Sequence, residues 1–508
     1  MYNLQYQLAM TWKLEGVMSS IHDLAKIIRD GYPENVTDEI TANWKSTIDS
    51  LFSDRFFSNS AYDKRVALIP DEDKVSFAGL IHPDNPKSGA YSGMCLVWFP
   101  SKNETNEGKS LFAFGCGTRG LAPDEGILAR PGHARYLKAL GKLIQEKTNC
   151  FCWCKQDPAN LIDTVPDIIR HQFPDFSDVF NRYGNVLYFL CEIPKDVDKS
   201  EFIVQAMVDY YAIERNWRPI KSARNHLENL TQEIQQRIFS KVSEEDIYNL
   251  LKERMYIILQ GPPGTGKTRF AQNLMNSYFT SKSKSIQFHP TTTYENFVSG
   301  IQPKVKEKDL SFGIYPGFLL KCLEEKEKDS EFLLVIDEIN RADLGKVLGE
   351  SIALFEFREV RDNRSREIDL PYPTENISVL SLPPNFYILG TMNTADRSIS
   401  IMDLAVRRRF AFIDIWPQRE VVDDQKLPLA SEAFGKLQDI FIQFATEDTL
   451  VLLPGHSYFL AENENELRNR FRYELIPLLQ EYLLDGRVTA MNSHIQGFID
   501  WLLMRIAY

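Results

Sequence analysis

An α/β protein is predicted, built on a parallel sheet with a helical lid after it and an α+β region in front. Three observations predict it. Three short apolar runs, MYIILQ (255–260), FLLVID (332–337) and FYILGT (386–391), are separated by helix-favouring stretches. Such runs suit strands covered on both faces, and the alternation with helices suits a parallel sheet. The first run leads directly into a glycine-rich turn and then into RFAQNLMNSYF, which can form a helix. After Pro417 the strand-like runs give way to helix-like sequence, including Glu464–Asp485.

Taken in order, residues 1–215 mix β-rich runs (Met94–Phe99, Leu111–Gly115, Val186–Ile193) with helical segments such as Ser19–Asp30. Pro and Gly clusters punctuate them, as in HPDNPKSGAYSG at 82–93. Residues 216–250 are polar and helix-favouring, with a capped helix start at Ser243-Glu-Glu-Asp246, and read as a connector. Residues 251–416 are the large α/β domain and 417–508 the helical lid.

The chain has 508 residues, 25% charged and 12% aromatic, so it carries enough apolar surface for two sizeable cores and is not globally disordered. Net charge is −12, and it is not concentrated: residues 1–215 hold 23 basic and 29 acidic groups. Any nucleic-acid binding must use a local patch, because the field of the whole chain has the wrong sign. No run approaches the ~18–20 apolar residues of a spanning helix. MYNLQYQLAMTWKLEG has no basic region followed by an apolar core, so no secretory signal is expected. Seven thinly spread cysteines suit reduced thiols, and a cytoplasmic location is expected.

The glycine-rich turn reads Gly261-Pro262-Pro263-Gly264-Thr265-Gly266-Lys267-Thr268, which fits G-x4-G-K-[ST] between a strand and a helix. Glycines let backbone N–H groups turn towards phosphate oxygens, and the helix N-terminus adds its positive dipole end. Lys267 brings a cation to the β/γ phosphates, and the Thr268 hydroxyl suits Mg²⁺. The run FLLVID ends in Asp337 and Glu338. If its strand neighbours the phosphate-loop strand, Asp337 can hold Mg²⁺ and Glu338 can orient or polarise the attacking water. An Asp-Glu pair after a strand is more often a solvated loop start; the phosphate loop upstream is what changes that reading.

The third run continues into Met392-Asn393-Thr394-Ala395-Asp396-Arg397-Ser398. An amide at Asn393 can bond the γ-phosphate or the attacking water. Arg407, Arg408 and Arg409 follow the helical segment IMDLAV. They are either a solvated face or residues that reach a neighbouring subunit's nucleotide.

These motifs together resemble AAA+ ATPases, specifically the McrB branch, the NTP-driven motor of modification-dependent (type IV) restriction systems. The resemblance is carried by ILQGPPGTGKT (258–268), FHPTTTYENFVSGIQP (288–303), LLVIDEINRADLGKVLGE (333–350), GTMNTADRSI (390–399), LAVRRRFAFIDIWP (404–417) and GHSYF (455–459). MNTADRS is the most specific, because generic AAA+ proteins do not share it. The resemblance implies that Asn393 is the polar sensor, that Asp396 and Arg397 belong to the signature linked to stimulation by a McrC-like nuclease, and that Arg408 and Arg409 act between subunits. It also implies hexameric rings and GTP rather than ATP. A guanine-reading Asn-Lys-x-Asp is missing, so the residues themselves leave GTP and ATP open.

YSGMCLVWFP and KSLFAFGCGT (91–100 and 109–118) resemble a strand pair of McrB-type N-terminal DNA-recognition domains. This implies a domain at 1–215 that reads DNA carrying a modified cytosine, extruding the base into an aromatic pocket. Trp98, Phe99, Phe112 and Phe114 alternate on these strands, so about half are expected to fill the core. Arg119, Arg130, Arg135 and Lys138 make 119–142 a basic stretch that either contacts phosphates or faces solvent.

Cys150, Cys152 and Cys154 fall on one face of a strand. A zinc site would need a fourth ligand such as Cys191 or His171, and a reduced structural strand is the simpler reading. His456 either contacts nucleotide from the lid or caps it, and His289 reads as structural. No set of carboxylates and lysine suits a nuclease in this chain, so cleavage is expected from a separate partner. A MoxR-like protein-remodelling chaperone shares the phosphate loop, carboxylates and arginines, but MNTADRS and YENFVSGIQP argue against it. A defence ATPase whose front domain senses protein is the other alternative.

Overall fold

The structure is a computed structural model and describes residues 20–33, 35–57, 63–68, 74–100, 110–279, 283–306, 309–326, 330–362, 364–396 and 404–507. Its contacts divide the chain into two units, one up to Ile238 together with 442–444, the other formed by the rest.

In the first unit six strands form one antiparallel sheet: β1 (Asp63–Ala67), β2 (Phe77–Ile81), β3 (Met94–Pro100), β4 (Ser110–Cys116), β5 (Cys152–Cys154) and β6 (Leu187–Ile193), in the order β1-β2-β3-β4-β6-β5. Every residue of β3 and β4 is buried, unlike the half-exposed alternation common in antiparallel sheets. The reason is a layer on each face. Val97, Phe99, Leu111 and Ala113 pack with Ile169, Phe173 and Phe180. On the other face Trp98 meets Trp44 of the helix Asp38–Arg55 at 5.4 Å between ring centroids, and Phe114 meets Tyr210 of the helix Val197–Glu214 at 5.5 Å. The expectation that half of the four aromatics face inward is therefore corrected: all four are core.

The segment expected as one connector at 216–250 is two helices with different allegiances. Lys221–Ile238 buries Ala223, Leu227, Leu230 and Ile234, one stripe at helical spacing, and groups with the first unit. Glu244–Arg254 starts with the Ser243–Asp246 capping box and groups with the second.

In the second unit β7 (Tyr256–Gly261), β8 (Ser283–Gln287), β11 (Phe332–Asp337), β14 (Phe386–Asn393) and β15 (Ala411–Asp414) form an all-parallel sheet in the order β15-β7-β14-β11-β8. Two small antiparallel ribbons lie outside it, β9 (Ser299–Lys306) with β10 (Asp309–Pro316), and β12 (Ile368–Asp369) with β13 (Val379–Leu380). β7, β11 and β14 are buried almost throughout, as their apolar runs require, whereas the edges SKSIQ and AFID are partly exposed. β14 stands between β7 and β11, so the carboxylate strand is not the immediate neighbour of the phosphate-loop strand, the condition on which the reading of Asp337 was framed. The insertion places three strand ends side by side, with Asn393 in register with Gly261.

Beyond β15 the chain is helical, with Pro428–Phe444, Glu464–Arg470, Ile476–Leu484 and Asn492–Ile506. Phe459 of the short turn His456–Phe459 packs on Phe434 and Phe471 at 5.1 and 5.7 Å and anchors that turn to the lid core. Among the described residues no helix is long and apolar enough to cross a membrane.

Candidate functional site

The site forms where β7, β14 and β11 end. From Gly261 the chain turns through Pro262, Pro263, Gly264, Thr265 and Gly266 into the helix Lys267–Tyr278. Gly264 and Gly266 both lie at φ +79°, a conformation that a side chain makes costly. Lys267 is buried. Its Nζ donates to the carbonyls of Gly261 and Pro262, at 3.0 and 2.7 Å. Burial lowers its pKa to about 8, against the opposing pull of Glu338 and Asp337.

Thr268 Oγ1 donates to Asp337 Oδ1 at 2.9 Å, although a whole strand separates β7 from β11. The intervening strand contributes as well. The Thr391 hydroxyl, buried on β14, donates to the same carboxylate oxygen and accepts the Glu338 backbone N–H at 3.2 Å. Two residues further along, Asn393 Nδ2 donates to Glu338 Oε1 at 2.6 Å. Glu338 itself adopts φ +52°, unusual for a residue with a side chain and typical of functional turns. Arg341 Nε stands 3.4 Å from the other Glu338 oxygen, and the Arg341 guanidinium lies 3.8 Å from Asp396. Thr391, Arg341 and the buried Asn340, which donates to Asn393 O at 3.2 Å, were missed in the sequence reading. A hydroxyl closing the apolar FYILGT run is the available signal for Thr391.

The candidate arginines separate. Arg409 is 6% exposed, donates to Ala405 O at 2.7 Å and pairs with Glu356 at 3.1 Å. Arg408 is 67% exposed and lies 3.5 Å from the same glutamate. The structure thus leaves only Arg408 of this pair free to reach outward. Arg397 lies outside the described residues, so the pairing of Asp396 with it in one signature has no geometry to report.

The donor set fits a divalent cation completed by phosphates. Thr268 and Asp337 present oxygens side by side, and among the described residues no group of three or more His, Cys, Asp or Glu side chains forms a self-sufficient metal site. That statement covers the cysteines. Cys152 and Cys191 stand opposite each other on β5 and β6 with sulfurs 3.1 Å apart, and all seven cysteines are free thiols.

In the first unit Arg130 pairs with buried Glu214 and Arg135 is itself buried, so two of the four cations singled out in the stretch 119–142 do not present a cation surface; Arg119 and Lys138 are exposed. Cations gather elsewhere, around a cavity of about 530 Å³ that Phe77, Tyr91 and Tyr183 help to line. Lys45, Lys64, Arg65, Lys87 and Arg182 complete its charged wall, and among the described residues no carboxylate lines it. Arg65 lies over the Tyr91 ring at 5.1 Å and donates to the carbonyls of Pro86 and Gly89, holding the 82–93 turn over the cavity. Lys64 is paired with Asp49 just outside.

A phosphate loop, a carboxylate strand and a polar strand end in a sheet ordered in this way define an AAA+ NTPase. The family described as "AAA domain (dynein-related subfamily)" matches residues 256–410, and "McrB, alpha-helical lid domain" matches 454–491. The chain is 30% identical over 355 residues to the "Type IV methyl-directed restriction enzyme EcoKMcrB subunit" of Escherichia coli (strain K12), covering 63% of this chain and 75% of that one. The "Type II restriction enzyme BsuMI component YdiS" of Bacillus subtilis (strain 168) is 27% identical over 276 residues, 44% of this chain and 78% of that one. A shorter likeness, 30% over 112 residues, links 22% of this chain to 3% of the cytoplasmic dynein heavy chain of Saccharomyces cerevisiae. The chain belongs to the McrB family of AAA+ NTPases.

Proposed function

We propose that this NTPase is the motor subunit of a modification-dependent restriction system. It assembles into a ring, reads modified or foreign DNA through its first unit, and drives a separate McrC-like nuclease. The observation that carries the DNA reading is the cationic, aromatic cavity. The first 215 residues are net acidic, yet five cations and three aromatic rings converge on one pocket with no carboxylate in its wall among the described residues. That combination suits a base extruded from a duplex, with the phosphates flanking it held at the rim. Burial pushes the Tyr91 hydroxyl well above its ordinary range, so the ring remains a neutral stacking surface.

For hydrolysis, the backbone from Gly261 to Thr268 takes the phosphate chain and Lys267 exchanges two carbonyls for phosphate oxygens. Thr268 and Asp337 would hold Mg²⁺, which would supply neutralisation of phosphate charge there. Thr391 fixes the Asp337 carboxylate. Glu338 orients the attacking water, and Asn393 holds the Glu338 carboxylate in place. Arg408 reaches the nucleotide of a neighbouring chain, while Arg409 secures its turn through Glu356. Family resemblance favours GTP over ATP and assigns Asp396 and Arg397 to stimulation by the nuclease.

The test uses the full-length chain, titrated at stated salt concentrations against duplexes with and without modified cytosine, since phosphate contacts weaken steeply with salt. A preference of ~1–3 kcal/mol for the modified duplex is expected, the scale of one base-level discrimination. Absence of binding to either duplex overturns the DNA reading and leaves an NTPase with a protein-recognising front unit. Lys267→Ala is the companion control and is expected to abolish nucleotide binding; normal turnover by that variant overturns the assignment of the phosphate loop.

A further inference from the structure

The backbone at Gly455–Ser457 runs against the outer carbonyls of the phosphate loop. Gly455 N–H donates to Pro263 O and Ser457 N–H to Gly264 O, each at 3.0 Å. A Cβ on Gly455 would stand 2.0 Å from the Gly264 carbonyl carbon, so only glycine permits this approach. Between these two anchors sits His456. Its Nδ1 accepts the Gln418 backbone N–H at 3.3 Å, which leaves the ring proton on Nε2. Nε2 lies 3.6 Å from where a Cβ on Gly266 would stand, beside the residue that caps the helix Lys267–Tyr278, and it has no hydrogen-bond partner among the described residues.

A donor fixed in orientation by one bond and left open at the other end, over the turn that receives phosphates, has an evident use. We propose that His456 Nε2–H donates to the phosphate chain of the bound nucleotide, making the lid turn part of the nucleotide site. The inference rests on the reading of 261–268 as that site. Neutrality suits the position. Burial and then the charge of Arg269, on the first turn of the same helix, lower the His456 pKa to about 4, so the ring adds a donor without placing a second cation beside Arg269. An arginine or lysine in its place would repel Arg269 whenever the site is empty.

The experiment compares full-length parent, His456→Ala and His456→Gln for binding of nucleoside triphosphate, diphosphate and the bare nucleoside, with thermal unfolding of each protein without nucleotide. Gln can keep a donor near the Nε2 position. His456→Ala is expected to weaken triphosphate and diphosphate binding about tenfold or more, the scale of one hydrogen bond to a charged group. Nucleoside binding should be unchanged, and His456→Gln should recover most of the loss. Equal losses for nucleoside and nucleotides, or no recovery in His456→Gln, would mean that the ring only shapes the lid and would overturn the proposal. So would unchanged affinities in His456→Ala. A parent that binds no nucleotide would instead refute the phosphate-loop reading itself, so the two failures are distinguishable.

Discussion

Asn393 Nδ2 and Glu338 Oε1 are 2.6 Å apart, joining the ends of β14 and β11, while Thr391 on the same face of β14 takes the Glu338 backbone N–H. The glutamate is thereby held at both main chain and side chain by one strand. Glu338→Gln should keep nucleotide affinity and slow hydrolysis at least ~10²-fold, the scale of a positioned general base. Asn393→Ala should slow hydrolysis with little change in affinity, because it frees the carboxylate without removing it. Single-turnover hydrolysis beside equilibrium binding separates the two effects, and unchanged hydrolysis in Glu338→Gln removes that residue from the mechanism.

Thr391→Val keeps the shape of the side chain and removes the hydroxyl that serves both Asp337 and the Glu338 amide. Leaving that amide and carboxylate short of a partner should cost ~1–3 kcal/mol of stability. It should also raise the Mg²⁺ concentration needed for half-maximal hydrolysis. Thr391→Ser should restore both. Thermal unfolding and a metal titration of activity decide it.

The two arginines after the helix Leu404–Arg407 should behave differently. Arg408→Ala should leave the melting temperature near that of the parent and remove most hydrolysis, and mixing it with Lys267→Ala subunits should restore part of the activity. Arg409→Ala should lower stability, because it strips Glu356 and Ala405 O of a nearly buried partner. A monomer hydrolysing at full rate would defeat the inter-subunit role of Arg408.

Lys267 carries a pH dependence. Burial disfavours the cation and lowers its pKa from the ordinary 10.5 to about 8. Between these values the unfolded chain holds the proton more tightly, so this group's contribution to stability rises as pH climbs from 8 towards 10.5. Phosphate oxygens favour the charged form, so nucleotide binding above pH 8 should take up a proton and weaken as pH rises. Calorimetry in buffers of different ionisation heat measures the uptake directly; none detected at pH 9 contradicts it.

At the cavity of the first unit, Tyr91→Ala in the full-length chain should lower affinity for modified duplex by ~1–3 kcal/mol, the worth of one stacked base. Lys87→Ala should instead weaken binding to all duplexes alike and reduce the slope of affinity against salt. Equal loss on modified and unmodified DNA in Tyr91→Ala would deny the ring a role in reading the base.

Much of this molecule is local chemistry. The phosphate loop, the three central strands, the paired carboxylates and Asn393 announce themselves because each depends on neighbours in sequence: glycines where N–H groups must converge, unbroken apolar runs where both faces are covered. The edge AFID is hard to read as a strand because an edge needs no continuous apolar run, and at the opposite edge only the end of SKSIQ, leading into Phe288, carries a strand signal. The insertion of β14 between β7 and β11, and the Thr268–Asp337 contact across it, belong to strand order, which no short-range pattern encodes.

The same division holds for individual side chains. Sequence by itself determined the class of site and the residue types in it. Only the tertiary structure decided that Arg408 is exposed and Arg409 buried, and that Trp98, Phe99, Phe112 and Phe114 are core while Phe77, Tyr91 and Tyr183 line a cavity. The reason is physical. A side chain's identity limits what it can bind, but its burial and reach depend on which distant segments cover it, and those contacts come from packing whole layers together.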